Sequence, residues 1–149
     1  MTEEEQATSL SGVLPVFQTP FHDDESIDFD TLDAEIDWIL RDVLTGAENE
    51  QIDWRFRVGD VVKIRIHNDR GAFHAMQHPL HIHGQRFLVL EQNGVPNDNL
   101  VWKDTVLLPA GSTTDILLEL SNPGRWMVHC HIAEHLESGM KFVFDVEGN

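Results

Sequence analysis

The sequence predicts a mainly β protein: one antiparallel sandwich over residues 52–149, preceded by a strand–helix appendage. Three observations carry this reading. Short apolar runs recur between turn residues along the second part of the chain. In VVKIRIHN, Val62, Ile64 and Ile66 alternate with Lys63, Arg65 and His67, so one face is buried and the other wet. The charge also breaks sharply: residues 1–53 hold fifteen acids against one arginine, net −14, and residues 54–149 hold eleven acids against nine bases, net −2. Such a break marks a change of origin along the chain.

In chain order, residues 1–11 read as an acidic tail. It has no apolar core of the kind an export signal needs, so the chain as written is expected to stay where it is made, in the cytoplasm. VLPVFQTPF (13–21) reads as an extended segment interrupted by prolines, and HDDES as a turn. Phe29, Leu32, Ile36, Ile39, Leu40 and Val43 recur at helical spacing. Asp28, Asp30 and Asp33 crowd the start of that helix, where the macrodipole favours negative charge, and Gly46 stops it. The appendage thus spans 12–44, and 45–51 is a polar linker. RFLVLEQ, DTVLLPA, TTDILLEL, RWMVHCH and MKFVFDV then follow as strands. Gly59, Asn93-Gly94, Pro109-Ala110-Gly111 and Asn122-Pro123-Gly124 punctuate them.

The formal charge of −16 excludes nucleic acid and anionic membrane as partners. A single cysteine excludes an internal disulfide. The chemistry sits in six histidines in two clusters: His78, His81 and His83 in HPLHIHG, and His129, His131 and His135 in HCHIAEH. Strand alternation sorts them, because residues i and i+2 share a face. His129 and His131 point one way and Cys130 the other. His81 and His83 share a face, and His78 falls on the opposite one. Cys130, His78 and His135, with Met140 following, converge as a thiolate, two imidazoles and a weak thioether, the donor set of blue-copper electron transfer. His81, His83, His129 and His131 form a four-imidazole patch suited to copper that meets oxygen. Zinc is an alternative for any Cys/His cluster, but alternation along one strand cannot aim three adjacent side chains at one ion. A cupin site would need an acid three or four residues after the His-x-His pair, where Arg86 and Phe87 stand. His22, His67 and His74 read as ordinary surface or packing residues, and Trp126 as a support for the ligand strand.

Two resemblances follow. GVLPVFQTPFHDDESIDFDTLDAEIDWIL (12–40) resembles the opening strand and helix of the dihydrodipicolinate synthase and N-acetylneuraminate lyase family, Schiff-base aldolases on a (β/α)8 barrel. Residues 1–62 contain no lysine, so aldolase chemistry is not expected of it. HPLHIHGQRFLVL with WKDTVLLPAGSTTDILLELSNPGRWMVHCHIAEHLESGM closely resembles the C-terminal cupredoxin domain of laccase-like multicopper oxidases, over about residues 54–146. That resemblance implies a Greek-key cupredoxin sandwich and copper as cofactor. It makes His78, Cys130, His135 and Met140 the type 1 copper ligands, His81 a type 2 ligand, and His83, His129 and His131 type 3 ligands. Cys130, His129 and His131 would carry electrons between the sites, and Asp104 in WKDTV would hold a ligand imidazole. A full oxygen-reducing cluster in the family resembles a cage of eight histidines, four from each of two domains. This chain carries one set of four, so the expected partners are another cupredoxin domain or a second copy of the chain, a small-molecule or metal-ion reductant, and oxygen. The alternatives are an electron-transfer or copper-binding module without oxygen chemistry, and a non-catalytic chimeric scaffold.

Overall fold

The computed structural model describes residues 9–14, 41–42, 47–72 and 75–148, with side chains from residue 47 onward. Among the described residues eleven strands form two sheets: β1 (Ser9–Leu14), β2 (Arg41–Asp42), β3 (Arg55–Arg57), β4 (Val61–Asn68), β5 (His78–Ile82), β6 (Arg86–Gln92), β7 (Val95–Pro96), β8 (Thr105–Leu108), β9 (Thr113–Glu119), β10 (Gly124–Cys130) and β11 (Lys141–Glu147). One sheet runs β2-β1-β4-β9-β6-β7 and the other β3-β11-β10-β5-β8. A one-turn helix, α1 (Ala133–Glu137), connects β10 to β11. Among the described residues no helix is long and apolar enough to cross a membrane.

Alternation places the core. In β4, Val62, Ile64, Ile66 and Asn68 are buried and the residues between them are not. Across from them stand Leu80 and Ile82 of β5, Val128 and Cys130 of β10, and Phe142, Phe144 and Val146 of β11. Phe87, Leu108, Ile116 and Leu120 are fully buried in the same cluster. Each such side chain contributes about 1.5–3 kcal/mol by leaving water. The runs read as strands in the sequence are strands here.

Before residue 52 the described residues differ in part from expectation. β1 holds the first two residues of the segment foreseen as extended at 13–21, whose remainder lies outside the described residues; it starts within the stretch read as an acidic tail and extends the sandwich sheet by pairing with β4. Arg41 and Asp42, foreseen as the last turn of a helix, pair instead with Gly12 and Val13. The open edge of β4 accounts for the first and the free edge of β1 for the second, since the unpaired backbone groups of an edge strand gain partners from whichever segment lies alongside. The rest of the foreseen helix, residues 29–40 and 43–44, lies outside the described residues. The sandwich is also not purely antiparallel: β1 runs parallel to β4, and β3 parallel to β11. Asn49–Gln51, read as linker, is a 3-10 turn, and Ala47 packs on the core.

The outer face of the first sheet hides one charge. The Asp115 side chain is 1% exposed and accepts hydrogen bonds from Arg65 Nε at 2.7 Å and Nη2 at 2.8 Å, with Lys63 Nζ at 2.7 Å. These cations, Arg65 first, hold its pKa down at about 2. Both cations stay substantially solvated, which limits the pair's worth. The ionised carboxylate stabilises the fold above the unfolded-state pKa, and that contribution is lost as pH falls through the folded value. Asp115→Asn is expected to destabilise by about 1–2 kcal/mol at neutral pH. The difference from wild type should shrink between about pH 4 and pH 2. Denaturant unfolding of both proteins across that range checks it, and a difference that grows toward acid would refute the assignment.

Candidate metal centre

The site is built on the pairing of β5 with β10. The two strands run antiparallel with Val128 opposite Ile82, His129 opposite His81, and Cys130 opposite Leu80. His78, Leu80 and Ile82 turn into the core, as do Val128 and Cys130. His81 and His83 turn outward with His129 and His131, as strand alternation predicts.

On the inner side, Cys130 Sγ lies 3.5 Å from His78 Nδ1 and 3.4 Å from His135 Nδ1. His135 reaches this point because α1 folds the chain back directly after β10. The Met140 amide donates to the His135 carbonyl at 2.9 Å, and the Cys130 amide donates to the Met140 carbonyl at 3.1 Å. Met140 is thus tied between two of the other three residues, with its side chain fully buried in the core cluster that holds Cys130. Asn68, fully buried, donates from Nδ2 to Met76 O at 2.8 Å and Leu108 O at 2.9 Å, which anchors the chain just before His78.

The donor set fits a soft metal. With metal–nitrogen bonds of about 2.0–2.1 Å and a metal–sulfur bond of about 2.3 Å, these separations correspond to an angle of roughly 105° at the ion. The protonation states agree for the imidazoles. Burial, with His135 nearby, pushes the His78 pKa down to about 3, and burial lowers that of His135. Both rings are therefore neutral ligands at neutral pH. Burial raises the Cys130 thiol to about 11, so metal entry must displace its proton.

On the outer side, His83 Nε2 and His129 Nε2 lie 2.9 Å apart. Two nitrogens at about 2.0–2.1 Å from one ion would subtend about 90° at that spacing. One ligand atom each from His81, His83 and His129 falls within 4.8 Å of the others. His131 is outside that trio, its ring centroid 5.6 Å from those of His81 and His129. Partial desolvation and the three neighbouring imidazoles hold the His83 pKa down. The tautomers follow from the partners. His129 Nδ1 is 2.8 Å from the Cys130 carbonyl and His81 Nδ1 is 2.9 Å from the Asp104 carbonyl. A carbonyl oxygen only accepts, so Nδ1 carries a proton on both rings, and in the neutral tautomer this leaves Nε2 as the lone-pair nitrogen. The Cys130 carbonyl also links the two faces through a hydrogen bond, beside the covalent path along the backbone.

Trp126 is the support foreseen for the ligand strand, while Gly84, Gln85 and Thr105 are three supports that sequence reasoning missed. Gly84 has φ +67, and a Cβ there would sit 2.2 Å from the Trp126 ring. Trp126 Nε1 donates to Asn122 O at 3.0 Å. Buried Gln85 donates to the same carbonyl at 2.7 Å and accepts from the Ser121 amide at 2.8 Å. Gly84, Gln85 and Trp126 therefore lock the end of the HPLHIHG strand against the turn before β10. Thr105, whose hydroxyl lies 2.9 Å from His81 Nδ1, is the third. The glycine following His-x-His was the one signal available for the first. His67 is a packing residue whose Nδ1 lies 3.0 Å from Thr113 Oγ1. His22 and His74 lie outside the described residues.

A two-sheet β-sandwich holding a buried Cys/His cluster on one strand pair is a cupredoxin-like fold. The family model for multicopper oxidases matches residues 19–149, and the chain belongs to that family, whose cofactor is copper. The match begins inside the segment that resembles the aldolases, and the relatives named here lend that resemblance no support. Laccase-1 of Melanocarpus albomyces is 31% identical over 139 residues, 75% of this chain and 22% of the relative. The iron transport multicopper oxidase of Schizosaccharomyces pombe is 40% identical over 103 residues, 60% of this chain and 16% of the relative. The crystal structure of a multi-copper oxidase from Pediococcus acidilactici superposes with a TM-score of 0.69 at 24% identity, covering 99% of this chain and 28% of that one. A laccase structure from the same species gives 0.68 at 26%, covering 98% and 28%. The chain spans less than a quarter of the length of these two curated relatives.

Gly84→Ala tests the support of the outer face. A positive φ and the collision with Trp126 together predict a loss of about 2–4 kcal/mol. Thermal or denaturant unfolding measures it, and a loss below about 0.5 kcal/mol would mean that Trp126 does not need this glycine.

Proposed function

We propose that this chain is the copper-binding cupredoxin module of a laccase-like multicopper oxidase. It would take single electrons from a reducing substrate on the His78/Cys130/His135/Met140 side and deliver them to an oxygen-reducing cluster on the imidazole side. One observation carries the reading: a buried Cys130 Sγ sits within 3.5 Å of two imidazole nitrogens, while the residues on either side of it face the opposite surface. Copper, when bound, supplies one-electron redox chemistry at each place. The residues of the chain do the rest. His78 and His135 present neutral nitrogens, Cys130 would supply both a thiolate and the start of the backbone route to His129 and His131, and Met140 would offer a weak thioether donor that tunes the potential. The dry pocket around Cys130 excludes water, which also tunes it.

His81 is read as a type 2 ligand, and His83, His129 and His131 as type 3 ligands. One set of four imidazoles leaves the oxygen-reducing cluster half built. The other four are supplied by a second cupredoxin-type domain, either elsewhere in a longer chain or in another copy of this one brought face to face. The relatives' greater length supports the first route.

Copper quantitation, visible spectrum and native mass of the purified chain test the proposal together. The chain should take up copper with an intense visible band, and Cys130→Ser should abolish that band and lower phenolic-dye oxidation at least a hundredfold wherever the wild type shows it. Oxygen consumption should appear only in assemblies that bring eight imidazoles together. A copper-loaded chain whose colour and activity survive Cys130→Ser would sink the reading. Colour without oxygen consumption in every assembly would leave an electron-transfer module instead.

A further inference from the structure

We propose that Thr105, backed by Asp104, is a positioning residue that sets the tautomer and the ring plane of His81. Thr105 stands directly opposite His81 in the β5–β8 pair, so both side chains leave the same face. The His81 Nδ1–H has two acceptors, the Asp104 carbonyl at 2.9 Å and Thr105 Oγ1 at 2.9 Å. A single acceptor would leave the imidazole free to swing about its outer torsion, which is soft for a terminal ring. Two acceptors straddling one N–H hold the plane as well as the tautomer.

The hydroxyl needs a reason to accept rather than donate, since it does either with equal ease. Asp104 provides it. Thr105 Oγ1 donates its proton to Asp104 Oδ1 at 2.8 Å, and an ionised carboxylate only accepts. The hydroxyl proton is thereby turned away from His81 and a lone pair toward it. Without the carboxylate, the hydroxyl could rotate and donate to Nδ1, which would move the ring proton to Nε2 and block the atom that faces His83 and His129. The Asp104 carboxylate itself stays 3.7 Å from His81 Nδ1 and acts through Thr105.

The assignment of metal binding to the imidazole patch rests on the function proposed above, but the orientation of the ring does not. The test separates them by reading the His81 ring nitrogens by 15N NMR, first in the metal-free protein and then through a titration with zinc(II) alone. Wild type should show one tautomer, protonated at Nδ1. Thr105→Val, a substitution that suits an edge strand, should mix the tautomers and weaken zinc(II) binding read at His81 by about 10–100-fold. Thr105→Ser should restore the wild-type pattern. Asp104→Ala, at an exposed position, should mix the tautomers less than Thr105→Val does. A wild-type ring protonated at Nε2, a Thr105→Val protein with the wild-type tautomer and zinc(II) midpoint, or a Thr105→Ser protein behaving like Thr105→Val would each overturn the proposal. The expected tautomer pattern without any zinc(II) binding would uphold the positioning role and remove the metal reading of the patch.

Discussion

The pairing of β5 with β10 is the constraint on which the other features rest. With Cys130 opposite Leu80 and His129 opposite His81, the pleat turns a thiol into the core and imidazoles out of it. The inner face is dry, so its histidines are neutral and its cysteine is held as a thiol until a metal displaces the proton. The outer face is wetter, and its rings are oriented by backbone carbonyls. A slip of one residue would exchange the two chemistries and ruin both. The covalent chain passes from one environment to the other within a single peptide unit, which is the reason two candidate metal sites can share so short a segment.

Several unlike devices hold that register. Val128, Ile82 and Leu80 pack into the core against Phe142 and Phe144 and fix the inward face. Gly84 and Trp126 close the end of β5 against the turn before β10, and buried Gln85 satisfies the backbone of that turn. Asn68 fixes the approach to His78 from the other end. None of these side chains is a proposed ligand, yet each bears on where a ligand atom falls. A metal site asks for positions good to a few tenths of an ångström, and packing on a rigid strand pair supplies that better than a loop would.

The segment before residue 53 follows different physics. Its net charge of −14 and its helical periodicity predict a separate strand–helix unit. Residues 9–14 and 41–42 extend the first sheet, with β1 running parallel to β4 and β2 bordering β1. Periodicity reports which face a segment would bury if it folded alone. An open strand edge a short distance away offers backbone hydrogen bonds that periodicity does not register, and for Arg41 and Asp42 the edge of β1 prevailed.

The sequence by itself determined the sandwich, because its strands alternate and its turns carry glycine, proline and asparagine where the chain must reverse. It also determined the two-sided sorting of Cys130 from His129 and His131, since a period of two is a local property of any strand. The tertiary structure alone decided that Cys130 meets both His78 and His135, that ligand atoms of His81, His83 and His129 fall within 4.8 Å of one another while His131 borders that trio, and that Thr105, Gly84 and Gln85 support the site. Those facts depend on the register between strands far apart in the chain, and register is fixed by the packing of both sheets together rather than by any one stretch of sequence.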